Sequence, residues 1–186
     1  MRRVVVTGFL MLVLALAGQG CARSGPQADA AATATPEPPT PAPLAWCHAV
    51  PLERTFCRAL VVDAPKASLR LAVADTEARR ERGLMGVVAL TPEQGMLFVF
   101  PDAADVRRDF WMKDTIAPLD MIFVRVDGTV SAIAADVPAT KRGTRDANIA
   151  RRHGIGRYVI ELAAGRARSA GLRVGTNLTI PDIDAR

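Results

Sequence analysis

The sequence predicts a mainly β domain, a single β-sandwich or distorted barrel with one or two short helices. Three observations predict it. Short apolar or alternating runs recur between residues 56 and 180, separated by turn residues. The densest apolar runs beyond the N-terminus fall in residues 95–128, where three strand signals follow one another. Helical signals are short and few, one at residues 75–82 and one at residues 163–170.

Met1-Arg2-Arg3, followed by a mostly apolar run over residues 4–17, has the form of a secretory signal and is too short for a comfortable membrane span. Cleavage falls either after Ala17 or before Cys21. The second site, with lipid on Cys21, is preferred over plain secretion. Residues 1–20 are then a signal peptide. Residues 21–43 form a disordered Ala-, Pro- and Thr-rich linker with nothing to bury, and residues 44–186 form the single domain.

After a lead-in containing Trp46, residues 56–63 read as a strand and Ala64-Pro65-Lys66 as a turn. Leu69, Leu71 and Val73 alternate with Ser68, Arg70 and Ala72, the pattern of a half-buried strand. Residues 75–82 form a short helix. Asp75 or Thr76 caps its start, Glu77 suits the positive end of its dipole, and Gly83 suits its C′ position. Residues 91–95 make a second capped turn.

Met96-Leu97-Phe98-Val99-Phe100, between Gly95 and Pro101, is a buried strand. Residues 106–113 alternate instead. Val106, Phe110 and Met112 take one face, shared with Arg108, while Arg107, Asp109, Trp111 and Lys113 take the other. Residues 119–126 are apolar apart from Asp120 and Arg125, and Asp127-Gly128 gives a type I′ hairpin turn to a return strand at residues 129–135. Residues 136–156 carry Lys141, Arg142, Arg145, Arg151, Arg152 and His153 without an apolar period, so they read as a long exposed basic loop that anionic lipid or polysaccharide could contact. Tyr158, Ile160 and Leu162 share one face of a strand with Glu161 on the other. A short helix ended by Gly171, a turn at residues 174–177 and a final strand at residues 178–180 complete the chain.

Five blocks occur in order: Arg82-Gly83-Leu84-Met85, Gly95-Met96-Leu97-Phe98-Val99-Phe100, Phe110-Trp111-Met112-Lys113, Pro118-Leu119-Asp120 and Tyr158-Val159-Ile160-Glu161-Leu162. Together they resemble the family known as domain of unknown function 192, over about residues 69–180. The resemblance implies a small, mainly β, sandwich-like domain and no established activity. The chain departs from the family pattern at Asp114, usually Asn, and at Gly86, usually polar or basic.

The formal charge of +5 and a pI near 9.7 would suggest nucleic acid in a cytoplasmic chain, but the leader argues against such a partner. Three cysteines in an exported chain leave Cys47 and Cys57 as a pair once Cys21 carries lipid. A disulfide between them would stabilise by ~2–3 kcal/mol. A catalytic Cys47 with the adjacent His48 ranks below the bridge. The two histidines lie far apart, so no metal site is expected, and no phosphate loop, dinucleotide fingerprint or serine elbow calls for a cofactor.

Carboxylates beside an aromatic remain. Trp111 on a polar strand face, with Asp109, Asp114, Lys113 and Asp120 around it and Arg82 and Glu161 further out, is the candidate binding surface. Trp111 can equally fill a core, and Asp120 can serve only to bond turn backbone. The expected function is a non-enzymatic module binding a small molecule, a glycan or an envelope protein. The alternative is a hydrolase or lyase, which needs two carboxylates converging in one cleft.

Overall fold

The alternation at Leu69, Leu71 and Val73 becomes the second of eight strands. Among the described residues, 58–181 apart from residue 103, together with residue 183, the elements are β1 (Ala59–Ala64), β2 (Ala67–Ala74), α1 (Glu77–Arg82), β3 (Gln94–Val99), β4 (Val106–Trp111), β5 (Leu119–Val124), β6 (Val130–Val137), a 3-10 turn (Asp146–Asn148), β7 (Arg151–Gly156), β8 (Tyr158–Ala163) and α2 (Arg166–Ser169) in this computed structural model. The expected leader, the linker, Cys21 and the Cys47–Cys57 bridge lie outside the described residues.

Six strands form one mixed sheet in the order β1-β2-β3-β8-β5-β6, and β4 and β7 form a second, two-stranded sheet. β2 and β3 run parallel, joined through α1, while the other neighbours in the large sheet pair antiparallel. The mainly β fold in two layers is as expected, and the sheets do not close into a barrel.

Period-two alternation sorts the large sheet into two cores. Leu97, Ile122, Val124, Ile160 and Leu162 face one side, where α2 and the segment carrying Leu172 and Leu178 cover them. Met96, Phe98, Met121, Phe123 and Val159 face the other, where Met112 and the second sheet cover them. Such side chains each stabilise by roughly 1.5–3 kcal/mol through burial.

Local chemistry explains the joints. The Thr76 hydroxyl accepts the Arg79 N–H at the start of α1, and the Gly83 N–H, at φ 48°, closes its end onto the Arg79 carbonyl. Between β5 and β6 the turn differs from the expected type I′. Only Gly128 has positive φ, and the Arg125 N–H donates to the Thr129 carbonyl, the pattern of a three-residue hairpin with a glycine bulge.

Residues 136–156 are not one long loop, because β7 lies within them and pairs with β4 from Trp111↔Arg151 to Val106↔Gly156. Its inward positions include Gly154 and Gly156, not apolar side chains. A Cβ at Gly154 would lie 2.3 Å from Cγ of Phe123, so glycine is what lets the second sheet approach the first. The expected strand at residues 178–180 is irregular, and the region is tied to the β5–β6 hairpin by one bridge, Thr129↔Asn177, and by backbone hydrogen bonds from Val130 to Thr176 and from Leu178 to Gly128.

Candidate functional site

The end of α1, the end of β4 and the middle of β8 meet around a small cleft. Its lining includes Arg80, Glu81, Arg82, Leu84, Met85, Phe98, Phe110, Trp111, Thr115 and Glu161, and its empty space, part of it open solvent, is about 270 Å³. The position of Glu161 follows from register. It pairs with Met96 of β3 and Met121 of β5, so it projects from the central strand toward the second core.

Glu161 is 4% exposed, and no hydrogen bond or ion pair to its carboxyl is present among the described residues. Burial alone raises its pKa to about 8, because a carboxylate there forfeits its hydration and gains no cation in return. Across the cleft, Arg82 holds a buried Nε with no acceptor. Arg80 differs, since its guanidinium donates to the carbonyls of Asp75 and Val99.

Phe98, Phe110 and Trp111 form the apolar wall. Phe110 meets Phe98 edge-on at 4.8 Å between ring centroids. The Trp111 ring leans on the second core and carries the Lys113 ammonium at 4.8 Å and the Arg151 guanidinium at 4.9 Å. Trp111 is therefore half-buried, an arrangement between a core residue and a free surface ring.

The structure brings Trp111, Arg82 and Glu161 to one cleft and places the other candidates elsewhere. Asp109 is exposed on β4, where the Arg107 guanidinium bonded to it holds its carboxyl below the usual range. Lys113 pairs with Asp146 at 3.7 Å. Asp114 occupies a tight turn at φ 47°. Asp120 is fully buried on the opposite side of the large sheet, where its carboxylate accepts the N–H groups of Asp136, Gly165 and Ala167. It knots β5 to the β6 end and to α2, the backbone role considered from sequence.

Sequence reading missed Thr115, Phe98 and Met85 as neighbours of the cleft. Only the glutamate gave a signal there, a lone acid inside an apolar strand. Among the described residues, no group of three or more His, Cys, Asp or Glu is placed to hold a metal ion.

The family model of domain of unknown function 192, described as uncharacterized ACR, matches residues 60–180. The chain belongs to this family. Two solved structures are similar to this member of the domain of unknown function 192 family. One, described as a candidate transcription regulator from Sinorhizobium meliloti, is 30% identical, with a TM-score of 0.57 over 67% of this chain and 95% of that one. The other, a protein of unknown function from Novosphingobium aromaticivorans, is 27% identical, with a TM-score of 0.55 over 70% and 90%. No curated protein matches.

Proposed function

We propose that this chain is an exported envelope protein, anchored by lipid on Cys21 and bridged between Cys47 and Cys57, whose domain binds a small molecule in the cleft beside Trp111 without turning it over. One observation carries the binding reading: Glu161 is a buried carboxyl with no partner among the described residues, lining the same cleft as the half-buried Trp111. A folded domain keeps a nearly buried acid without a protein partner at a cost, and such groups concentrate where ligands bind. The cleft is small, its empty space of about 270 Å³ counting open solvent, and this supports a small molecule over a glycan chain or a protein surface.

The hydrolase or lyase reading has less support. Asp109, Asp114 and Asp120 do not line the cleft. Glu81 does, but it is exposed on α1, whereas Glu161 is buried on β8. Acid–base hydrolysis needs a second carboxylate held close beside the first.

The test is a titration of the full chain with sugars, organic acids, amines and amino acids, following the melting temperature. At least one class raises it in the wild type and fails to raise it in Trp111→Ala. If every protecting compound protects Trp111→Ala equally, the site is elsewhere. Turnover of a bound compound that Glu161→Gln abolishes would replace the module with an enzyme.

A further inference from the structure

The cleft presents a guanidinium and a carboxyl, and neither has a partner among the described residues. Arg82 ends α1 with its Nε buried and without an acceptor, and Glu161 projects from β8 without a donor or cation among the described residues. No hydrogen bond or ion pair joins them among the described residues. A simple anion would pair with Arg82 and use Glu161 only as a protonated hydrogen-bond donor, and a simple cation would leave Arg82 without a partner. A neutral sugar would leave Arg82 uncompensated.

We infer that the ligand of this cleft is a small zwitterion of the α-amino-acid type, its carboxylate held by Arg82 and its ammonium by Glu161, with its side chain against Phe110 and Trp111. The inference rests on the small-molecule reading of the cleft and names the class of ligand. A zwitterion offers an ionic partner to each group, and each charge-assisted contact offsets the desolvation of the two ions it joins.

The proton balance is specific. In the empty cleft, burial keeps the Glu161 carboxyl protonated up to a pH of about 8. The charged groups of the cleft are Arg80, Glu81 and Arg82 on α1, of which Arg80 is held by backbone carbonyls and Glu81 is exposed. The strands flanking Glu161 present Met96 and Met121, β4 presents Phe110 and Trp111, and the β4–β5 loop presents Thr115. No other titratable group of these elements faces Glu161. When the ligand's ammonium docks, the carboxyl releases its proton to solvent and binds as carboxylate. Below pH 8 each ligand bound therefore releases close to one proton, and affinity rises with pH up to that point. A plain organic anion, held by Arg82 and by protonated Glu161, would show the opposite slope.

The experiment is calorimetric titration of the full chain between pH 6 and pH 8, in two buffers of different ionisation enthalpy. The probes are L-alanine, L-leucine and L-phenylalanine, each with its deaminated acid and its decarboxylated amine. At least one amino acid binds about tenfold or more tightly than both its analogues, the loss expected for one unmade charged contact. Its binding releases near one proton at pH 6 and tightens toward pH 8. Glu161→Gln keeps the shape of the protonated acid, so the variant folds, yet it loses both the proton release and the pH slope. Arg82→Gln loses the preference over the amine. The inference is overturned if an acid binds as tightly as its amino acid, if affinity falls as pH rises, or if none of the probes binds. A sugar or other compound that then binds in a Trp111-dependent way would leave the small-molecule reading standing alone.

Discussion

The Gly86 N–H donates to the Asp114 carbonyl at 3.0 Å, and both residues hold positive φ, 76° and 47°. The family resemblance read from sequence set these two positions apart, and their backbones touch. The bond clasps the loop after α1 to the turn after β4, beside the cleft residues Met85 and Thr115. Left-handed backbone suits Gly without strain and suits Asp or Asn better than most residues.

Gly86→Ala therefore costs about 1 kcal/mol in a urea melt, through strain at positive φ. Asp114→Asn leaves stability within about 0.5 kcal/mol, because Asn tolerates the same conformation. Equal stability of Gly86→Ala and wild type would show that the clasp does not shape the loop.

Glu161 sets a pH dependence of stability. Its folded pKa, about 8, lies above its ordinary value of 4.5, so the folded state holds a proton that the unfolded chain has lost between those limits. Stability is therefore greatest below the unfolded value and falls as pH rises through this window, levelling above the folded value. Glu161→Gln removes this fall. Denaturant melts at pH 5, 6, 7 and 8 measure both proteins, and parallel slopes would contradict the assignment.

Phe110 and Trp111 are neighbours with different duties. Phe110 meets Phe98, Phe100 and Phe123 edge-on, at centroid distances of 4.8, 6.4 and 6.1 Å. Phe110→Ala should cost about 3–5 kcal/mol, as for a large core deletion. Trp111→Ala should cost less, about 1–3 kcal/mol, since its ring is half-exposed between two cations. A reversed order in thermal melts would make Trp111 a core residue first.

Export and anchoring are tested at the cysteines. Cys21→Ser should move the protein from the membrane fraction to the soluble fraction and abolish fatty-acid labelling. Thiol labelling of unreduced material should find neither Cys47 nor Cys57, and quantitative labelling of both would rule out the bridge.

Much of this architecture was legible because strands buried on one or both faces leave plain marks. The run Met96-Leu97-Phe98-Val99 is β3, the alternation at Leu69, Leu71 and Val73 is β2, and Thr76 and Gly83 bracket α1 as capping chemistry requires. β7 was illegible because its inward positions Gly154 and Gly156 trade side chains for close approach, so no apolar period exists to be seen. In the cleft, alternation placed Glu161 opposite Tyr158, Ile160 and Leu162 but could not say what covered it. That cover comes from α1 and β4, far away in sequence. Asp109 shares a face of β4 with Trp111 but is taken up there by Arg107, and Asp114 sits in a tight turn, so nearness along the chain did not become a shared cleft.

β8 enters the large sheet between β3 and β5, although every other strand precedes it in the chain. Synthesis of seven strands therefore leaves two halves, β1-β2-β3 and β5-β6, each with a raw edge waiting for the same partner. Neither half has its antiparallel neighbour on that side until Tyr158–Ala163 arrives. Folding must then wait for Tyr158–Ala163, a non-local closure that is slow by its nature. A chain cut short before Tyr158 exposes two templates for pairing with other molecules at once, and it aggregates instead of folding to a smaller domain. The residue that gives the cleft its unpaired acid is carried by the strand that joins the sheet last.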